Sequence, residues 1–181
     1  EALKSQSKEI LAPEEIYREL NENGLSYGPA FRLLKRVYVG AGFELGEIAA
    51  FSEDLPIRAQ GQDAPALHPT LLDACLQTLQ AAQTEEFRGR ALLPMSITSY
   101  RVLRSAAQAF ALVRMTAASP EQAEADVLIT DRQGLLVAEI KALCMRRVAA
   151  PVKRSAMWQT DWAAAKEATS TLAAKERADW I

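Results

Sequence analysis

Between residues 69 and 82, apolar side chains recur at helical spacing: Leu71, Leu72, Cys75, Leu76, Leu79 and Ala82. This stripe predicts an amphipathic helix. Pro69 suits the first helical position, where a missing N–H costs nothing and φ is already set. Asp73 and Gln77 stand one turn apart, stacked on a different face. A carboxyl steadied by an amide can move a proton, although periodicity alone reads the pair as a solvated face.

Residues 1–12 are polar and unpatterned, which predicts an irregular lead-in. A short helix is expected from Pro13, with Glu14 and Glu15 at its positive end and Ile16, Tyr17 and Leu20 on its apolar side. Asn23-Gly24 stops it. Gly24-Leu25-Ser26-Tyr27-Gly28-Pro29-Ala30-Phe31 specifies a defined turn. Residues 31–39 and 43–51 read as strands joined by Gly40-Ala41-Gly42, residues 52–66 as a loop, and 84–90 as a polar connection. Extended runs follow at 92–103, 108–117, 124–130 and 135–148, with Val127 and Ile129 on one face and a turn at Asp131-Arg132-Gln133-Gly134. One long helix, one short helix and five or six antiparallel strands make an α+β plan. The helix over 69–82 has the apolar surface to cover such a sheet, so the expected fold is a hot dog, a sheet wrapped around one central helix.

The 181 residues fit one domain with a tail, and 24% are charged for a net charge of −2. No basic stripe is present, which argues against nucleic acid, and no apolar run reaches the about 18 residues of a membrane span. The polar N-terminus does not read as a signal peptide, and the expected location is the cytoplasm. Cys75 and Cys144 sit in apolar patterns and read as small hydrophobes. With one histidine, His68, a zinc site is not expected. Composition changes after Ala150. Pro151 breaks the pattern, Met157 to Trp162 is aromatic, and 163–180 is helix-prone. The expected division is a lead-in over 1–12, a folded unit over 13–150 and a linker or new domain over 151–181.

Four stretches resemble dehydratase domains of modular polyketide synthases. Gly24 to Phe31 is similar to their Tyr-Gly-Pro-x-Phe motif, and His68 to Gln77 to their His-Pro-x-Leu-Leu-Asp motif with its following Gln. Leu93-Pro94-Met95-Ser96 and Leu128 to Gly134 fall in the matching order. The resemblance covers residues 13–148 and implies one half, the C-terminal one, of a double hot dog. It implies that Asp73 and Gln77 are catalytic, with Asp73 as general acid. Tyr27, Gly28, Pro29, Phe31, His68, Pro69, Leu72 and Pro94 would contact substrate. The base would be a histidine of a His-x-x-x-Gly-x-x-x-x-Pro motif in an N-terminal half; this sequence has no such motif.

The implied reaction is dehydration of a 3-hydroxyacyl thioester to a 2-enoyl thioester. The substrate would ride on the phosphopantetheine arm of an acyl carrier protein, and no other cofactor is implied. The implied partners are that carrier protein, the N-terminal half and a second copy in a homodimer. Met157 to Trp162 looks like the beginning of the region preceding a ketoreductase. Blander readings stand beside these. Tyr27 reads equally as a packed aromatic and His68 as a structural residue at the helix entrance. Arg146, Arg147, Lys153 and Arg154 are either a carrier-protein contact or a solvated strand end. A non-catalytic scaffold, or an isomerase or cyclase of the same lineage, are the alternative functions.

Overall fold

The computed structural model describes residues 2–51, 67–81 and 91–148. The expected loop over 52–66, the connection over 84–90 and the tail beyond 150 lie outside the described residues, as does Ala82. One antiparallel sheet of seven strands dominates: β1 (Ser7–Leu11), β2 (Leu34–Gly40), β3 (Phe43–Ile48), β4 (Ala91–Val102), β5 (Ala109–Ala118), β6 (Gln122–Thr130) and β7 (Leu136–Val148). Their spatial order is β1-β2-β3-β5-β6-β7-β4. Among the described residues three α-helices accompany them: α1 (Ala2–Ser5), α2 (Pro13–Glu22) and α3 (Pro69–Ala81). This is the expected α+β hot-dog plan, with α3 as the central helix.

The helix is seated by its apolar stripe. Leu71, Ala74 and Cys75 are fully buried in one core with Val113, Val127, Ile129, Ile140 and Leu143 from the sheet. Removing a side chain of leucine size from water stabilises by about 1.5–3 kcal/mol. The close approach of α3 to β3 depends on Gly46, because a Cβ there would run into the Thr78 side chain. Gly46→Ala should therefore destabilise the fold by about 1–3 kcal/mol, read as a lower urea midpoint. An unchanged midpoint would mean that the helix sits further from the sheet.

Residues 1–12 correct the expectation of an irregular lead-in. Ser7–Leu11 pairs antiparallel with β2 and forms one edge of the sheet. An edge strand with most side chains exposed is held by its backbone ladder, so it leaves no alternation to read. On the outer face, Lys4 of α1 reaches Glu47 at 3.3 Å and lies 4.7 Å from the centre of the Phe110 ring. Likewise residues 31–33 are not strand. Pro29 favours a tight turn, and Pro29–Phe31 forms one turn of 3₁₀ helix before β2 begins.

Strand β7 carries a strained bulge. Ala142 has φ 50°, a left-handed conformation that favours glycine. Asp126 pins it, accepting the Ala142 N–H at 3.0 Å and pairing with Lys141 Nζ at 2.8 Å. These bonds hold the Asp126 carboxyl below its ordinary range. Ala142→Gly should raise stability by about 1 kcal/mol, visible as a higher urea midpoint. A lowered midpoint would show that the bulge stores no strain.

Candidate active site

The site forms where α2, the 3₁₀ turn and α3 converge. Helix α2 starts at Pro13, with the Glu15 carboxylate accepting the Ala12 N–H at 3.0 Å. It ends at Asn23, and Gly24 takes φ 91° while the Leu25 N–H bonds the Leu20 carbonyl at 2.8 Å. Ile16, Tyr17 and Leu20 are its buried side. The Tyr17 hydroxyl thereby reaches α3. Pro29 then sets the 3₁₀ turn that aims the Phe31 carbonyl at the same place.

A chain of hydrogen bonds follows. The Leu34 N–H donates to Tyr17 Oη at 3.0 Å, and Tyr17 Oη donates to Gln77 Oε1 at 3.1 Å. Gln77 Nε2 donates to the Phe31 carbonyl at 3.1 Å and to Asp73 Oδ2 at 2.6 Å. Gln77 is fully buried, whereas Asp73 is half-buried. The solvated-face reading therefore fails for Gln77. Burial holds the Asp73 carboxyl above the ordinary carboxylate range, and the Gln77 bond opposes that shift. A carboxyl so placed keeps a proton nearer neutrality and can donate it.

Tyr27 stands beside this pair. Its ring meets that of Tyr17 edge to face, with centroids 6.3 Å apart. Burial first, then the nearby Asp73 charge, pushes its hydroxyl up to about 12, while a hydrogen bond from Gln80 pulls the other way. Tyr27 remains a neutral donor throughout the working range. Gly28, Pro29 and Pro69 are exposed around the site, and Leu72 is half-buried on the helix. Pro94 lies exposed on β4, at a shift in the β4–β7 register, and makes none of the hydrogen bonds that build the cluster.

His68 precedes the helix as a cap. Its carbonyl accepts the N–H groups of Leu71 and Leu72, and Nδ1 accepts the Thr70 N–H at 3.3 Å. The ring stacks on Phe51 with centroids 4.2 Å apart. Cys75 is fully buried, and burial raises its thiol well above the ordinary value. Neither cysteine forms a disulfide. Among the described residues no cluster of three or more His, Cys, Asp or Glu could hold a metal, and no helix is long and apolar enough to cross a membrane. Tyr17 was not singled out by sequence reasoning, which placed it only on an apolar face. The available signal was chemical: a buried tyrosine needs a partner for its hydroxyl.

The chain is similar to proteins of one family. The family model described as "Polyketide synthase dehydratase N-terminal domain" matches residues 1–155. Phthioceranic/hydroxyphthioceranic acid synthase of Mycobacterium bovis is 31% identical over 137 residues, covering 75% of this chain and 6% of that protein. The dehydratase domain from the CurF module of the curacin polyketide synthase superposes with a TM-score of 0.70 at 28% identity, covering 82% of this chain and 51% of that domain. The CurK dehydratase, solved as an inactive Asp-to-Asn mutant, gives a TM-score of 0.67 at 28% identity, with 82% and 52% covered. The chain thus spans a small fraction of the synthase and about half of the solved domains. By its fold and by these matches, the chain belongs to the polyketide synthase dehydratase family.

Proposed function

We propose that this chain is the acid-bearing, C-terminal half of a double hot-dog dehydratase acting on a 3-hydroxyacyl thioester. The observation that carries the reading is the half-buried Asp73 carboxyl bonded at 2.6 Å to a buried Gln77. The description of the matching family model names an N-terminal domain. The ordered motifs at Gly24 to Phe31 and His68 to Gln77 favour the C-terminal half, and coverage of about half a solved domain fits one hot-dog unit. The CurK neighbour, inactive as an Asp-to-Asn mutant, supports an essential aspartate in the family.

In this mechanism a base on the other half removes the α-proton. Electrons of that C–H bond form the α,β double bond, and the β C–O bond breaks. Asp73 gives its proton to the departing oxygen, so that water leaves rather than hydroxide. Gln77 holds the carboxyl, and Tyr27 donates to the substrate hydroxyl. Gly28, Pro29, Phe31, Pro69, Leu72 and Pro94 shape the acyl channel. His68, occupied as a helix cap, positions α3 rather than acting as the base.

The phosphopantetheine arm of a carrier protein would deliver the substrate. The second half would cover β4, the edge strand among the described residues, where Leu93, Met95, Ile97 and Tyr100 are exposed. The test is a 3-hydroxyacyl carrier-protein substrate offered to the complete domain, with the product followed by mass. Loss of one water supports the reading. No change in mass with no turnover would favour a scaffold, and turnover at constant mass would favour an isomerase or cyclase.

A further inference from the structure

We propose that Tyr17 is a positioning residue: through Gln77, its hydroxyl fixes which oxygen of Asp73 carries the acid proton. The proposal rests on the dehydratase reading of Asp73. Its logic is the direction of each hydrogen bond. A backbone N–H only donates, so Leu34, at 3.0 Å, occupies a lone pair of Tyr17 Oη. The tyrosine proton is then free for Gln77 Oε1 at 3.1 Å, a better partner than the Phe31 carbonyl at 3.5 Å. That carbonyl only accepts, so it holds the amino end of the same carboxamide, at 3.1 Å. Gln77 is thus held at both ends, and the Phe31 carbonyl, which cannot donate, decides which end is the amino group.

The second amino hydrogen of Gln77 goes to Asp73 Oδ2 at 2.6 Å. Oδ2 is therefore an acceptor, and a protonated Asp73 holds its proton on Oδ1. Were the carboxamide to turn over, Gln77 Oε1 would accept that proton and withdraw it from the substrate. Tyr17 is the side chain that satisfies Oε1 and blocks this arrangement. Burial pushes its own hydroxyl up to about 12, so it stays a donor at working pH. The residue touches no reacting atom.

The experiment compares Tyr17→Phe with Asp73→Asn in the complete dehydratase, measuring kcat, KM and the pH profile. Phenylalanine keeps the ring that packs against Tyr27, so a purely structural role of the ring survives. The expected result is a kcat lower by about 10- to 100-fold with KM little changed. The alkaline limb of the profile should also move to higher pH, because Asp73 loses a bond that favours its charged form. In a Gln77→Ala background the Tyr17→Phe effect should vanish, since both act through one carboxamide.

Unchanged kcat and pH profile in Tyr17→Phe, with Asp73→Asn inactive, would overturn the proposal. An active Asp73→Asn enzyme would instead overturn the reading beneath it. If Tyr17→Phe does not fold, 3-fluorotyrosine at position 17 keeps the shape and is a stronger donor. The alkaline limb must then move to lower pH, and an unmoved limb would contradict the role.

Discussion

Asp73→Asn should lower the dehydration rate of the complete enzyme by about 10²- to 10⁴-fold, the usual contribution of a positioned general acid. Asparagine matches aspartic acid in shape, and its carbonyl can still accept from Gln77 Nε2, which lies 2.6 Å from Asp73 Oδ2 in the native chain. The fold should therefore persist while the acid is gone. In the native enzyme, kcat should fall as pH rises through the Asp73 pKa, because only the protonated carboxyl can release water. Burial sets that limb above the ordinary carboxylate range, and the Gln77 bond limits how far. Stopped-flow detection of the enoyl product across pH, for both proteins, checks the rate and the limb together. Retention of native kcat by Asp73→Asn would remove Asp73 from the mechanism.

The second large effect lies away from this site. Glu44 on β3 is 8% exposed and shares its face with Gly46, two residues on, against which α3 packs. Its neighbours across the sheet are Val39 and Val113, and Oε2 has no hydrogen-bond partner among the described residues. Burial pushes the carboxyl from 4.5 up to about 7.

The native state therefore holds a proton that the unfolded chain releases near pH 4.5. Stability falls as pH rises from there to about 7 and is level above it. The loss amounts to about 3 kcal/mol at the upper end. Glu44→Gln, neutral at every pH, should be more stable than the native protein by about that amount at pH 8, and nearly equal to it at pH 4. Urea unfolding of both proteins at the two values measures the difference. A stability difference that does not change with pH would show that Glu44 ionises freely.

The sequence and the structure agree where a side-chain pattern and a physical need coincide. The stripe of α3 is legible because Leu71, Cys75 and Leu79 all face one core, and a helix that large determines which sheet face is covered. The turn signals at Asn23-Gly24 and Asp131 to Gly134 are legible because glycine takes positive φ at Gly24 and Gly134. The edge strand Ser7–Leu11 is not, since its pairing uses backbone groups common to every residue.

At the site, spacing alone stacks Asp73 with Gln77 but leaves their surroundings open. The burial of Gln77 depends on α2 and the turn at Phe31, brought from 46 or more residues away in sequence. The role of Tyr17 is illegible in the sequence for the same reason. One hydroxyl on an apolar helix face has no periodicity, and its partners are set only by the fold.

The most direct test of the central claim, an acid half that needs a base from elsewhere, is dehydration by this chain with and without the other half. The chain would be mixed with a 3-hydroxyacyl carrier-protein substrate, then supplemented with the polypeptide bearing the His-x-x-x-Gly-x-x-x-x-Pro motif. No turnover alone, and turnover that appears on supplementation and is lost with Asp73→Asn, is the predicted result. Turnover by the chain alone would contradict the account, because a base would then have to lie within its own residues.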